Sequence, residues 1–482
     1  MEESALGPRT KLGAHPPSPL GCGARECMLG STSHSISERG GGAPVDIGIY
    51  SLPIVLVAVS CRSRADWRAA VLVLGAIYPL VLIVCLASPG PSLPGAQMSP
   101  DLAPYAMGCV HIVALIVGLV VCRGELYRHR PAIVVSCVLT ALGMGASLTV
   151  HGFGGPSPLF RLMVLLVQMA NLFLVFPALA RRDGPAFLVG YAKAVSSMAI
   201  GIGLIGLYGW TVHGPFPDYY ARLGRPLEAR SMGAVLFCGF VCSALLSPGA
   251  LNTTRTALLA AGVAATGTRS SLILMALFLA LQALRQRRFL QVLAIGAPAT
   301  MVGVLLSRMP GLHYLARRTL TSGRVLRWAI ALSDVLDNWV LGIGAPYRVP
   351  DPLIPGITHR PHNAIIESVA SYGIVYAIGV YGLYVALLSA VWHAPAPRRG
   401  LALPRAVRLA RWLVVAAMIE SCVGTSMWTN LGDGFTISVV IFASIVSATA
   451  DAPPQRRASH VTGRGMSSAL PPAASSTVPT TR

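Results

Sequence analysis

Apolar runs of about 20 residues recur along most of this 482-residue chain, the length a helix needs to cross roughly 30 Å of hydrocarbon. Inside a bilayer the backbone must satisfy its own N–H and C=O groups, so runs of this kind fold as helices. Composition agrees, with 54% hydrophobic and 12% charged residues. A soluble domain carries about 25% charged residues, so a normally solvated surface cannot be built here. The expected fold is all-α, a polytopic membrane helix bundle. Spans near 45–60, 69–88, 104–122, 131–150, 159–180, 186–212, 230–247, 251–266, 270–284, 289–306, 364–392, 409–428 and 434–450 give about 12–13 transmembrane helices. The first is short and carries Pro53.

Composition shifts mark the boundaries. Residues 1–44 are rich in Gly, Ser and Pro without periodicity and read as a disordered tail, as do residues 452–482. The N-terminal tail lacks the basic-then-apolar order of a signal peptide. Between the tails, residues 45–306 hold ten helices, 307–361 form one large loop, and 362–451 hold the C-terminal helices. Short loops alternate in charge. Arg62, Arg64 and Arg68 mark one as cytoplasmic, as do Arg123, Arg128 and Arg130, then Arg181 and Arg182, then Arg285, Arg287 and Arg288. The 393–411 loop, with Arg398, Arg399, Arg405, Arg408 and Arg411, belongs with them. Loops at 89–103 and 152–158 contain no Lys or Arg and read as outside. This places the C-terminal tail in the cytoplasm and the 307–361 loop outside. At about 55 residues that loop is long enough to be functional rather than connecting. Within it Val325, Trp328, Leu332, Val335 and Leu336 recur at helical spacing, with Asp334 and Asp337 on the other side. They predict an amphipathic helix lying in the interface. Gly342, Gly344, Pro346, Pro350, Pro352 and Pro355 then force irregular backbone.

The net charge of +20 is almost wholly arginine, since Lys11 and Lys193 are the only lysines. Nucleic acid is excluded as a partner, because no soluble basic face is visible. The ten cysteines fall mostly inside apolar spans, and Cys22 and Cys27 have no second pair at zinc spacing. No metal and no cofactor are expected.

Chemistry concentrates before the span at 364–392. His362 and Asn363 follow Pro361 and stand near a helix N-terminus, where backbone N–H groups and the helix dipole favour an anion. A neutral imidazole there accepts a hydroxyl proton and a protonated one holds a phosphate; a merely capping histidine is the bland alternative. Glu367 lies one turn deeper on the same face, where an acid either faces a cavity or bonds structurally to the Asn side chain or a neighbouring arginine. Arg230, Arg269, Arg308, Arg317, Arg318 and Arg324 fall on the outer side, against the topology bias. Their forked guanidinium groups suit a diphosphate. Headgroup binding is the alternative, and it fits Arg317 and Arg318 best.

In combination these residues resemble the O-antigen ligase and polysaccharide polymerase superfamily of bacterial inner membranes. That pattern has an arginine in a small-residue turn between spans, a Gly-Arg opening the outer-loop helix, a Gly-x-Gly, and His-Asn at the next helix start. Here Thr268-Arg269, Gly323-Arg324, Gly342-Ile343-Gly344 and His362-Asn363 supply it. The ligase signature continues with Gly373 after nine residues and Tyr376 after two more. The likeness covers residues from about 225 to about 395; Arg230 lacks the Asn-Pro of relatives downstream.

The resemblance implies a multi-pass inner-membrane glycosyltransferase whose donor is a glycan on a polyprenyl diphosphate. The acceptor hydroxyl belongs to lipid A core in a ligase, or to a growing lipid-linked glycan in an O-antigen or exopolysaccharide polymerase, which would also meet a chain-length regulator. Both readings stay open. His362, Arg324 and Arg269 are the candidate catalytic residues, with Asn363, Arg230 and Glu367 binding or orienting substrate, membrane lipids around them, and no metal needed. A multispanning transporter is the rival of another class, but no two-half repeat is visible and the suspect charges cluster at one surface.

Overall fold

The computed structural model describes residues 47–87, 103–122, 126–127, 130–152, 158–213, 229–246, 249–266, 268–286, 324–344, 347–350, 358–359, 361, 363–394, 402–423 and 434–451. Both expected tails, the span near 289–306 and residues 307–323 of the large loop lie outside these. Among the described residues the protein is helical, apart from one two-residue strand pair, β1 Val349–Pro350 with β2 Thr358–His359, antiparallel with Val349 opposite His359. A short 3-10 turn, Ile47–Ser51, leads into α1 Leu52–Ser60. Helix α2 Arg64–Leu72 passes through a π turn, Val73–Ile77, into α3 Tyr78–Ala87. Then come α4 Ala103–Cys122 and α5 Pro131–His151. Next, α6 Pro158–Ala170 passes through a second π turn, Asn171–Val175, into α7 Phe176–Asp183. The order closes with α8 Pro185–His213, α9 Ala229–Ser243, α10 Ala250–Thr266, α11 Arg269–Gln286, α12 Arg324–Asp337, α13 Ala364–Trp392, α14 Ala402–Val423 and α15 Gly434–Ala450.

Six helical stretches among the described residues are long and apolar enough to cross a membrane: Arg64–Ile83, Tyr105–Cys122, Pro131–His151, Leu162–Asp183, Pro185–Gly209 and Ala364–Trp392. Four shorter apolar helices join them. The short first span is real as a helix: Pro53 is buried, and a Cβ at Gly201 of α8 would meet it at 2.6 Å. Two boundaries need correction: the helix expected at 69–88 already starts at Arg64, so Arg64 and Arg68 lie inside it. The span expected at 409–428 is a helix that starts at Ala402, so Arg405, Arg408 and Arg411 ride on its first turns. Arginine is a good helix former, and Arg411 gains a partner there. Its guanidinium donates to Trp392 O at 2.6 Å and Val391 O at 3.2 Å, capping α13, and stacks 4.9 Å over the Trp392 ring.

Polar contacts gather the arginine-bearing turns at one end of the bundle. Arg68 pairs with Asp183. Arg182 donates to Val121 O at 3.0 Å, and Arg181 lies 6.0 Å over the Tyr127 ring. The Tyr127 hydroxyl donates to Asp451, just past α15, at 2.8 Å. Ser63 and Asp66 form a reciprocal capping box that starts α2 at the same end, and Asp66 pairs with Lys193 of α8 at 3.0 Å. Charge alternation alone had grouped these loops; side-chain contacts now hold them together.

Helices meet where side chains are absent. A Cβ at Gly143 of α5 would lie 2.3 Å from Tyr376 N, and one at Gly379 of α13 would lie 2.4 Å from Thr140 N. Helices in lipid gain nothing from burying apolar surface against each other, so close backbone approach at small residues drives their packing. We expect Gly143→Leu and Gly379→Leu each to destabilise the bundle by about 1–3 kcal/mol through overpacking. Thermal unfolding of the purified protein in detergent measures this. Gly75→Ala, where a Cβ would meet nothing within 4 Å, is the control and should leave the transition unmoved.

Candidate functional site

At the end of the bundle opposite the arginine-rich turns, α13 is broken. Gly373 adopts φ 84° and ψ 176° inside it, a conformation that strains any residue bearing a Cβ. A break inside a helix leaves backbone groups unpaired, and here the loop after α12 takes them up. Ile374 N–H donates to Trp339 O at 2.8 Å, and Ile343 N–H donates to Ala370 O at 2.6 Å. From the other side, Ser147 of α5 donates to Ser371 O at 3.1 Å. Sterics demand glycine on both partners. A Cβ on Gly373 would stand 2.0 Å from Val340 O, and one on Gly342 (φ 74°) 2.8 Å from Ala370 O and Gly373 N. Gly344 (φ 105°) sits against His151 at the end of α5. The Gly342-x-Gly344 motif and Gly373 are therefore two halves of one backbone joint.

Ten residues before Gly373, Asn363 caps the start of the helix. Its backbone is extended, and its Oδ1 accepts from Ile365 N at 3.0 Å and Ile366 N at 3.1 Å, a helix cap. Its Nδ2 donates to Cys422 O at 3.0 Å, tying the cap to the end of α14. These contacts require a bend. A straight helix would put Asn363 about 43 Å from Trp392 at 1.5 Å per residue. Between Arg411, bonded to Trp392, and Cys422, bonded to Asn363, α14 rises only about 17 Å, and extended side chains do not make up the difference. Thus α13 turns at Gly373, and residues 364–372 are not the top of a straight span.

Above the joint the loop has a small core of its own. Ala331, Val335, Tyr347, Val349, Ile366 and Ala370 pack together, with Trp328 and Ile343 against them. Trp328 Nε1 donates to Pro361 O at 2.8 Å, fixing the segment just ahead of the cap. Tyr347 donates to Asp334 at 2.6 Å; burial first, then that carboxylate, push its phenol well above the ordinary range, so it stays a neutral donor. The amphipathic helix expected from the sequence is α12, and one side of it packs along α13. Trp328 is at Pro361 and Trp339 at Ile374.

Among the described residues, the backbone positions of the predicted site residues lie at one end of the bundle. Arg269 is the first residue of α11 and Arg324 the first of α12, and Arg230 lies in the first turn of α9. A Cβ at Gly233, one turn past Arg230, would sit 2.8 Å from Thr266 Oγ1 and 2.9 Å from Thr268 Oγ1. The starts of α9 and α11 therefore abut. Helix α9 runs antiparallel to α8, since Gly203 meets Leu236 while Gly239 meets Ala199. Its start thus lies at the far end of α8 from Asp183 and the arginine-rich turns. Trp328 brings α12 to Pro361 at that end. His362 falls outside the described residues. Glu367 is buried one turn into α13, 7% exposed. Sequence reasoning passed over Glu420, 6% exposed in α14 and two residues before the carbonyl that Asn363 grips. The signal was available: like Glu367, it is an acid inside an apolar span. Among the described residues no group of three or more His, Cys, Asp or Glu is placed to hold a metal ion.

Residues 256–381 match the family model for O-antigen ligase. No curated protein matches the chain. The matched stretch runs from α10 to the middle of α13, taking in Arg269, Arg324, the Gly342–Gly373 joint, His362, Asn363 and Glu367; Arg230 precedes it.

The joint generates a test of its own. Gly373→Ala forces a Cβ into Val340 O at positive φ, a strain of about 1–3 kcal/mol concentrated on the loop contact. We expect limited proteolysis to cut within 339–350 in Gly373→Ala membranes and to spare the wild type, with the bundle still inserted. Equal protection of both would show that the joint does not hold the loop.

Proposed function

We propose that this multi-pass membrane protein, whose residues 256–381 belong to the O-antigen ligase family, moves a glycan from a polyprenyl-diphosphate donor to an acceptor hydroxyl on the extracytoplasmic face of the bacterial inner membrane. The observation that carries the reading is that the first turns of α9, α11, α12 and α13 all lie at the end of the bundle away from the arginine-rich turns. Helix N-termini favour anions, and the starts of these helices bring Arg230, Arg269 and Arg324 with them.

In the proposed reaction the acceptor hydroxyl oxygen attacks the anomeric carbon. The bond from that carbon to the diphosphate oxygen breaks, and the polyprenyl diphosphate leaves with the electron pair. His362 takes the hydroxyl proton. Arg269 and Arg324 hold the departing diphosphate through paired N–H donors, Arg230 extends the pocket, and charge stabilisation in a partly dry site supplies the rate gain. Asn363 orients: with its side chain committed to Ile365, Ile366 and Cys422, it holds the position of the residue before it. Glu367 and Glu420 stand one shell deeper. Ligase and polymerase differ in acceptor alone, and the Gly373-x-x-Tyr376 spacing with the matched family description favours ligase.

Two experiments test this. With membrane levels equalised, His362→Ala should lower turnover by about 10²–10⁴-fold. Arg324→Lys should fail as well, because ammonium keeps the charge and loses the fork. Normal glycan product from both His362→Gln and Arg324→Lys in a complemented deletion strain would remove these residues from the mechanism.

We also expect purified protein to transfer glycan from lipid-linked donor in excess EDTA, because the arginine groups carry the leaving-group charge. Loss of transfer that magnesium or manganese restores would contradict that assignment.

A further inference from the structure

The uncovered edge of α12 points to a partner. Only part of the wide apolar sector of α12 is covered by α13. Trp328, Ala331 and Val335 face Ile366, Ala370, Tyr347 and Val349. Adjoining them, Val325, Ala329, Leu332 and Leu336 recur at steps of four, three and four residues, and Trp339 follows after three more. All five are exposed, Leu336 at 75% and Trp339 at 54%. No charged residue interrupts this edge; the exposed Asp334 and Asp337 lie on another side of the helix. An apolar stripe of this length is not left to water in a soluble context.

Trp339 fixes the level of that edge. Its carbonyl holds Ile374 N–H at the joint, and the helix from there to Trp392 rises about 27 Å, close to the roughly 30 Å of a bilayer's hydrocarbon. The large exposed apolar residues of this stretch are Ile378, Val385 and Trp392, seven apart, which is one lipid-facing stripe. Trp392 closes it at one boundary, 59% exposed under the Arg411 guanidinium, and Trp339 closes it at the other. Tryptophan is enriched at both membrane–water interfaces.

We infer that the Val325–Leu332–Leu336–Trp339 edge of α12 is seated in the interface of the leaflet at the Asn363 end, with bilayer phospholipid as its occupant. The apolar edge is continuous with the lipid-facing stripe of α13 and lies beside the level at which that stripe ends. Seating it there keeps the loop against the Gly373 joint, so the lipid surface helps hold the segment that leads to the candidate site. The inference stands without the glycan-transfer reading, since its test measures depth and not activity.

The test uses the full-length chain with native cysteines replaced, reconstituted in phosphatidylethanolamine–phosphatidylglycerol liposomes. Spin labels are placed singly at Leu336→Cys, at Leu332→Cys as a second reporter, and at Asp337→Cys. We expect the labels at 336 and 332 to be relaxed by oxygen and to lose contact with an aqueous nickel chelate, and the label at 337 to behave in the opposite way. Free access of the chelate to 336 and 332 would overturn the proposal, as would shielding of all three. A disulfide-linked dimer formed through Leu336→Cys would assign the edge to a second copy of the chain. Displacement of the oxygen effect by added polyprenyl diphosphate would assign it to a donor tail. Either result also overturns phospholipid as the occupant.

Discussion

The exchange of backbone hydrogen bonds at Gly373 is the contact on which the arrangement of α12 against α13 depends. A helix broken near a membrane surface exposes N–H and C=O groups that cost several kcal/mol each when buried without partners. The turn after α12 supplies one donor and one acceptor, through Ile343 N–H and Trp339 O. Loop and span are thereby one folding unit. Because neither Gly342 nor Gly373 can carry a Cβ at this approach, the joint is available only to glycine on both sides.

The bend at the joint has a consequence at the other end of the same segment. Residues 364–372 leave the line of the span, and the capping residue just before them reaches α14. Asn363 then serves as helix cap and interhelical clamp in one side chain. Glu367 falls in the first turn, where a carboxylate complements the positive end of the helix dipole. Pro361 and Asn363 are each tied down by a distant side chain or backbone group, Pro361 by Trp328 and Asn363 by the Cys422 carbonyl.

Much of this could be read in the residues, and the gaps have specific causes. Span positions follow from hydropathy, and the described helices match them except at α2 and α14, where arginines extend the helix. Charged residues lower any hydropathy window, yet Arg411 is stable in helix because it caps α13. The π turns at Val73–Ile77 and Asn171–Val175 left no signal in composition; in the second, Asn171 donates to His111 O at 2.7 Å, an interhelical bond that no window can anticipate. On α12, periodicity found an apolar face but not its division into a part covered by α13 and a part left bare. The site motifs were legible as types and spacings. That Asn363 would spend its amide on a cap and on Cys422 was not, because that partner lies 59 residues away in sequence.

The sequence by itself determined that the chain is a helical membrane bundle, which turns share an end, and that Arg269, Arg324 and Asn363 stand at helix starts. These are local properties: hydropathy, period and charge act over a few residues and need no partner. Only the tertiary structure decided that Gly342 meets Gly373, that α13 bends there, and that the starts of α9 and α11 abut. Those outcomes depend on how closely two segments approach when a Cβ is missing from one or both, and that distance is set by packing between segments that sequence order keeps apart.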